Sequence, residues 1–210
     1  MLRCEMLIPP EDIQAKVREL AHRISDDYGG RNPLLVTLLK GSFIFLADLV
    51  RHLTIPHEIE FIKLSSYRDG LHRSREVEVI DRLHSDIDDR DIIIVDGIID
   101  TGHTLSHLIK TLSKRGARSI KVCTLLDKSC SREVEVPVHY VGFTIPDAFV
   151  IGYGLDYKER YRNLAYIATL LSESDSVEDT LEPERSGMVQ RGVDAEHPAK
   201  ATAAEGERTR

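Results

Sequence analysis

The sequence predicts an α/β fold with a central, mainly parallel sheet covered by helices. Leu34 to Leu39 and Ile92-Ile93-Ile94-Val95 are short, continuous apolar runs, the pattern of strands buried on both faces. Between such runs lie segments whose apolar residues recur at helical spacing. Strands alternating with helices imply parallel crossovers and therefore a helix-covered sheet.

In chain order, Pro9 and Pro10 followed by Glu11 and Asp12 mark a helix start, since proline suits the first turn and acids face the positive end of the dipole. Ile13, Val17, Leu20, Ala21 and Ile24 then share one face, and Gly29-Gly30 ends the helix. After the strand at Leu34 to Leu39, Gly41-Ser42 turns the chain into a second helix carrying Phe43, Phe45, Leu46, Leu49 and Val50. His57 to Leu64 reads as a strand, Ser65 to Arg75 as a long polar loop, and Glu76 to Ile80 as another strand. An acidic connector runs to Arg90. The strand at Ile92 to Val95 leads through a polar loop into a helix whose core face is Leu105, Leu108, Ile109 and Leu112, stopped at Gly116. Strands near 120–126, 138–141, 149–153 and 164–170 complete the expectation.

With 210 residues the chain is long enough for one domain with a full core and short for two. A net charge of -7 argues against a non-specific nucleic-acid binder but permits a local basic pocket. Cys4, Cys123 and Cys130 have neither metal-ligand spacing nor an even disulfide count, which fits a reducing compartment. Met1 to Pro10 is too short and polar for a signal peptide, and no apolar stretch reaches membrane-spanning length. The expectation is a cytoplasmic, soluble protein with no nucleic-acid or membrane partner. Ser172 to Arg210 has no aromatic residue and carries ten acids against five bases, a composition unable to offset the entropy of ordering. The expected organisation is thus a domain over 1–171 and a disordered tail over 172–210.

The chemistry concentrates in Ile92-Ile93-Ile94-Val95-Asp96-Gly97-Ile98-Ile99-Asp100-Thr101-Gly102-His103-Thr104-Leu105. A buried strand feeding a helix start presents free backbone N–H groups to an anion, with the helix dipole assisting. Thr101 and Thr104 supply hydroxyls, and Gly102 lets the backbone approach a phosphate closely. Asp-Thr-Gly alone favours an ordinary strand-to-helix turn in which Asp100 merely caps the helix, because motifs this short misfire often.

The longer string resembles the phosphoribosyl-diphosphate motif of the purine phosphoribosyltransferases, and the chain from about residue 6 to 171 resembles their hypoxanthine-guanine branch. Leu39-Lys40-Gly41 is similar to that family's pyrophosphate loop, and Ser66-Tyr67 to the tip of its mobile loop. Leu125-Leu126-Asp127-Lys128 with Arg132 is similar to the base-reading segment. Phe149-Val150-Ile151-Gly152-Tyr153-Gly154-Leu155-Asp156-Tyr157, with Arg162-Asn163-Leu164, is similar to the C-terminal hood.

The resemblance implies a type I phosphoribosyltransferase fold with a small hood built from both chain ends, and a homodimer or homotetramer. It implies transfer of phosphoribose from 5-phosphoribosyl 1-diphosphate to hypoxanthine or guanine, with Asp100 as acid/base toward the purine N7. Thr101, Gly102, His103 and Thr104 would cradle the 5′-phosphate, His103 through its backbone. Lys40 and Gly41 would place amides on pyrophosphate, and Arg162 would contact it. Lys128 would donate to the 6-oxo group, Phe149 would stack on the base, and Val150 would offer main-chain groups to its edge. Asp156 would sit near Mg2+ and the base's exocyclic group, with Asp96 as the other carboxylate for metal and ribose. Ser66 and Tyr67 would work in a lid that keeps water from the transition state.

One position departs from the pattern. Relatives carry two adjacent acids after the buried strand, where this chain has Asp96 and Gly97. A lost charged hydrogen bond to a ribose hydroxyl costs about 1.5–3 kcal/mol, so Gly97→Asp is expected to tighten sugar binding. The alternative it leaves open is a nucleotide-sensing regulatory protein on the same scaffold.

Overall fold

The computed structural model describes residues 3–66, 77–79 and 85–172. Tyr67, most of the expected polar loop, and residues 173–210 of the expected tail lie outside the described residues.

The strands are β1 (Arg3–Ile8), β2 (Leu34–Leu39), β3 (Glu58–Ser66), β4 (Val77–Val79), β5 (Asp91–Ile99), β6 (Ser119–Asp127), β7 (Tyr140–Thr144), β8 (Val150–Ile151) and β9 (Ile167–Ser172). The helices are α1 (Pro10–Asp27), α2 (Phe43–His52) and α3 (His103–Lys114), with one 3-10 turn at Ser129–Ser131. The main sheet has the order β4-β3-β2-β5-β6-β7. Its five strands from β3 to β7 are parallel, and β4 returns antiparallel along β3. A separate sheet, β1-β9-β8, joins the two ends of the described chain into a hood, as expected.

Alternation along the strands divides the core in two. Leu35, Ile93, Val95, Cys123 and Leu125 pack with Ile13, Val17, Leu20, Ala21 and Ile24 of α1 and with Phe45, Leu46 and Leu49 of α2. Leu34, Val36, Leu38, Ile92, Ile94 and Val122 pack with Leu105, Leu108 and Leu112 of α3 on the opposite face. Both faces of β2 and β5 are therefore covered, the reason these strands read as unbroken apolar runs.

Several boundaries differ from those expected. β5 does not end at Val95: Asp96, Ile98 and Ile99 stay in register with Thr124, Leu126 and Asp127 of β6, so the polar loop shrinks to Asp100–Gly102. β3 runs on to Ser66 because β4 pairs with its end. β8 stops at Ile151, since Gly152, Tyr153 and Gly154 all have positive φ and cannot continue a strand. β7 begins at Tyr140 rather than Val138, and β9 at Ile167 rather than Leu164, whose carbonyl instead accepts from Tyr153 N–H at 2.8 Å. The strand β1 lies in a segment read only as a polar start. Phe43, expected among the apolar residues of α2, stays 42% exposed at its first position.

The order of strands fixes where a ligand belongs. From β2 the chain moves outward to β3, whereas from β5 it moves the other way to β6 and β7. The crevice beyond the carboxyl ends of β2 and β5 is the topological switch point at which open α/β sheets bind ligands.

Candidate active site

Leu39 at the end of β2 and Ile99 at the end of β5 deliver two loops to this crevice: Lys40–Ser42 and Asp100–Gly102. Between them lies a cavity of about 250 Å³ lined by Gly41, Ser42, Asp96, Asp100, Thr101, Gly102 and Thr104, with apolar walls from Leu38, Leu39, Ile98, Ile99, Leu105 and Leu155.

The Asp100–Gly102 loop is braced from outside the cavity. The Thr101 carbonyl accepts N–H bonds from Glu133 and Val134, each at 3.0 Å. Gly102 has φ 88, and a Cβ there would collide with the Val134 carbonyl, so glycine is required on both conformational and steric grounds. Gly102 is also the N-cap of α3, and no side chain caps this helix. Asp100 therefore does not act as the cap, and the α3 start keeps donors for an anion. Thr101, Gly102 and Thr104 face that cavity, whereas His103 turns its Nε2 to Glu133 Oε2 at 3.0 Å.

Ser42, not singled out from the sequence, bridges the two loops. It is the N-cap of α2 but makes no side-chain cap bond. Its hydroxyl instead donates to Asp96 Oδ1 and accepts Gly97 N–H, both at 3.0 Å. Burial pushes the Asp96 carboxyl up to about 6, against the lowering pull of Ser42 and the Gly97 and Ile98 amides.

Asp100 is half exposed, and Lys128 Nζ lies 3.9 Å from its Oδ2 and 3.7 Å from Asp147 Oδ1. Lys128 itself is 7% exposed. Its position follows from local bonds: Lys128 N–H donates to the Ile99 carbonyl at 3.0 Å, which sets the end of β6 beside the end of β5. Arg132 and Asp127 form an ion pair on the same segment, with the Arg132 side chain packed against Gly102.

The hood residues reach the cavity through Gly154 and Leu155. A Cβ on Gly154 would collide with the Gly41 carbonyl, so the hood backbone lies directly against the Lys40–Gly41 loop. Arg162 Nη1 donates to the Gly154 carbonyl at 2.8 Å, and its Nη2 pairs with Asp156 at 2.7 Å. Lys40 Nζ pairs with Glu159 at 2.7 Å, and the Leu39–Lys40 peptide is cis. Phe149 is 53% exposed and meets the Tyr157 ring edge-on at 5.8 Å; Val150 beside it is buried and paired with Thr169.

The cavity thus gathers Gly41, Asp96, Asp100, Thr101, Gly102 and Thr104, with Lys128 attached through Asp100. Lys40, His103, Lys128, Phe149, Val150, Asp156 and Arg162 do not line it. Ser66 ends β3, and Tyr67 lies outside the described residues. Ser42, Asp147 and Glu159 were missed in the sequence, since a serine beside a turn glycine and single acids in polar segments carry no spacing signal; Leu155 stood only within the hood motif and was given no role. Among the described residues no group of three or more His, Cys, Asp or Glu side chains could hold a metal ion. Single carboxylates such as Asp96 suit a cation that takes most of its oxygens from a substrate.

Residues 9–158 match the phosphoribosyl transferase domain family. The hypoxanthine phosphoribosyltransferase of Salmonella typhimurium is 46% identical over 169 residues, spanning 80% of this chain and 95% of that protein. The hypoxanthine-guanine phosphoribosyltransferase of Bacillus subtilis is 46% identical over 166 residues, spanning 79% and 92%. A crystal structure of a hypoxanthine phosphoribosyltransferase from Staphylococcus aureus superposes with a TM-score of 0.76 at 42% identity, covering 80% of this chain and 91% of that one.

Proposed function

Because the chain belongs to the phosphoribosyl transferase domain family, we propose that it salvages purines by joining hypoxanthine or guanine to 5-phosphoribosyl 1-diphosphate. The bond from C1′ to diphosphate oxygen breaks as the bond from purine N9 to C1′ forms, giving IMP or GMP and pyrophosphate. The observation that carries this reading is the juxtaposition of Asp100 with an uncapped helix start on one side and the buried Lys128 on the other.

In this reading Thr101, Gly102, His103 and Thr104 hold the 5′-phosphate through main-chain N–H groups and the two hydroxyls. Asp96, oriented by Ser42, faces the ribose. Asp100 takes the proton that the purine must lose at N7, a general-base contribution of about 10²- to 10⁴-fold. Lys128 donates to the 6-oxo oxygen, so an aminopurine would set donor against donor. Phe149 stacks on the base and Val150 meets its edge. Lys40, Gly41 and Arg162 receive the diphosphate, and Ser66 with Tyr67 belongs to a lid.

Mg2+, a hard cation with oxygen ligands, would be held by Asp96 and Asp156, and when bound it would neutralise diphosphate charge. A homodimer or homotetramer is the proposed assembly, supported by the exposed Phe43, Ile59 and Phe61. A cytoplasmic setting is supported by three free cysteines. No helix among the described residues is long and apolar enough to cross a membrane. A domain over residues 1–171 remains part of the reading, and residues 173–210 lie outside the described residues.

The sensing alternative is less favoured, because a sensor has no need of Asp100 beside Lys128 and the relatives are named as transferases. The test incubates the purified protein with labelled hypoxanthine, phosphoribosyl diphosphate and Mg2+. Labelled nucleotide is expected from the native protein and almost none from Asp100→Asn. Nucleotide binding without turnover by the native protein would turn the reading towards the sensor.

A further inference from the structure

We propose that Glu159 is a positioning residue of the leaving-group site: its carboxylate holds the Lys40 ammonium and the Arg162 guanidinium until diphosphate binds, and then yields them to it. The inference rests on the assignment of Lys40 and Arg162 to diphosphate and deepens it, adding the Lys40 ammonium to the main-chain amide already assigned. Two cations from distant parts of the chain converge on one oxygen, with Lys40 Nζ at 2.7 Å and Arg162 Nη2 at 3.4 Å from Glu159 Oε2. Both belong to groups packed on Gly41: Lys40 precedes it, and Arg162 donates to the carbonyl of Gly154, whose backbone touches it.

The backbone supports a purpose for this side chain. Tyr157 and Arg160 form an antiparallel bridge closed by N–H bonds of 3.1 and 3.0 Å. The two residues between them, Lys158 and Glu159, have φ 51 and 64. A two-residue turn with positive φ at both positions selects Asn and Gly, which adopt it most readily. Placing an acid there against that preference points from conformation to function. The turn is fixed further by Glu159 N–H donating to Asp156 Oδ2 at 2.9 Å. Lys40 and Arg162 both favour the ionised Glu159 carboxylate, which is held below its ordinary range mainly by the Lys40 hydrogen bond.

Glu159 is 66% exposed, so its carboxylate returns to water when displaced. An exposed ion pair is worth little, and surrendering it should change affinity by only about two- to fivefold. The direction is the diagnostic feature, because removing an acid that competes with the ligand tightens binding.

The experiment titrates magnesium diphosphate into the full-length protein and its Glu159→Gln variant, and measures KM for each substrate. Glu159→Gln is expected to bind diphosphate about two- to fivefold more tightly, with KM for phosphoribosyl diphosphate lowered and KM for hypoxanthine unchanged. The gain should fade at high salt, since screening already weakens the competing pair. Unchanged or weaker diphosphate binding by Glu159→Gln would overturn the proposal. Lys40→Met and Arg162→Met separate the two layers. If both lose diphosphate affinity while Glu159→Gln gains none, only the role of Glu159 fails. If neither loses affinity, the side chains of Lys40 and Arg162 do not receive diphosphate and the proposal falls with them, while the amides of Lys40 and Gly41 keep their assignment.

Discussion

Lys128 Nζ lies 3.9 Å from Asp100 Oδ2, so the residue assigned to the base's oxygen and the residue assigned to its proton share a charge environment. Asp147 sits at 3.7 Å on the same ammonium, and its own side chain is 74% exposed. Lys128 is the buried member of the trio, a cation held between two exposed carboxylates.

Lys128→Met should therefore act on discrimination more than on folding. Losing a hydrogen bond from a charged donor costs about 1.5–3 kcal/mol, or roughly tenfold to a hundredfold in kcat/KM for hypoxanthine. Adenine, which offers that lysine no acceptor, should lose little. Steady-state kinetics with both bases checks the ratio. An equal fall for both would mean that Lys128 supports Asp100 and does not read the base.

Asp96 gives the site a pH signature. Burial raises its carboxyl from the ordinary 3.8 to about 6, so the folded protein keeps this proton after the unfolded chain has released it. Its contribution to stability is present below about pH 4 and is lost as pH rises towards 6, leaving the ionised group a cost of roughly 2–3 kcal/mol at neutral pH. Asp96→Asn should raise Tm at pH 7 and leave it unchanged at pH 4, while weakening sugar binding. Thermal unfolding of both proteins from pH 4 to 7 tests this, and parallel curves would refute it.

Asp91 shows the opposite sign far from the cavity. It is 3% exposed and accepts from Arg118 Nε at 3.1 Å and Ser119 Oγ at 2.6 Å, with Arg31 at 3.7 Å. The Arg118 hydrogen bonds lower its carboxyl to about 2. This stability is present above about pH 4 and lost as pH falls towards 2. Since Arg118 is half exposed and solvent screens it, Asp91→Asn should cost only about 1–2 kcal/mol at pH 7. Urea unfolding at pH 7 and pH 3 should show a difference that narrows in acid.

The sequence made the layers of this fold readable because burial leaves a period. Ile13, Val17, Leu20, Ala21 and Ile24 are all buried, and β2 has the limits its apolar run suggested. The ends of strands were less readable, because Asp96 to Ile99 look like loop until β6 is seen to continue beside them. The strand-to-helix segment from Asp96 to Thr104 could be singled out from its order of residues, and most of its residues line the cavity. Ser42 could not, since its value depends on Asp96 and Gly97 lying across from it in space. Glu159 was hidden for the same reason, its partners being Lys40 from another loop and Arg162 across a turn.

Gly97 separates two effects that the sequence presents as one. A Cβ at this position would lie 3.0 Å from the Gly41 carbonyl oxygen and 3.6 Å from Leu155 Cδ2. Gly41 cannot retreat freely, because Gly154 backs the same carbonyl. Any side chain at 97 therefore presses on the Lys40–Gly41 loop, while an aspartate also supplies the carboxylate that the proposed ribose contact calls for. Gly97→Ala carries the steric effect alone and should weaken phosphoribosyl diphosphate binding by about two- to tenfold, as a shift of tenths of an ångström misplaces the loop amides. Gly97→Asp should bind about tenfold to a hundredfold more tightly than the alanine variant, the worth of a charged hydrogen bond to a hydroxyl. Calorimetric titration of the three proteins gives both differences. Equal affinities for alanine and aspartate would mean that no ribose hydroxyl lies within reach of residue 97, and Asp96 would then carry that contact alone.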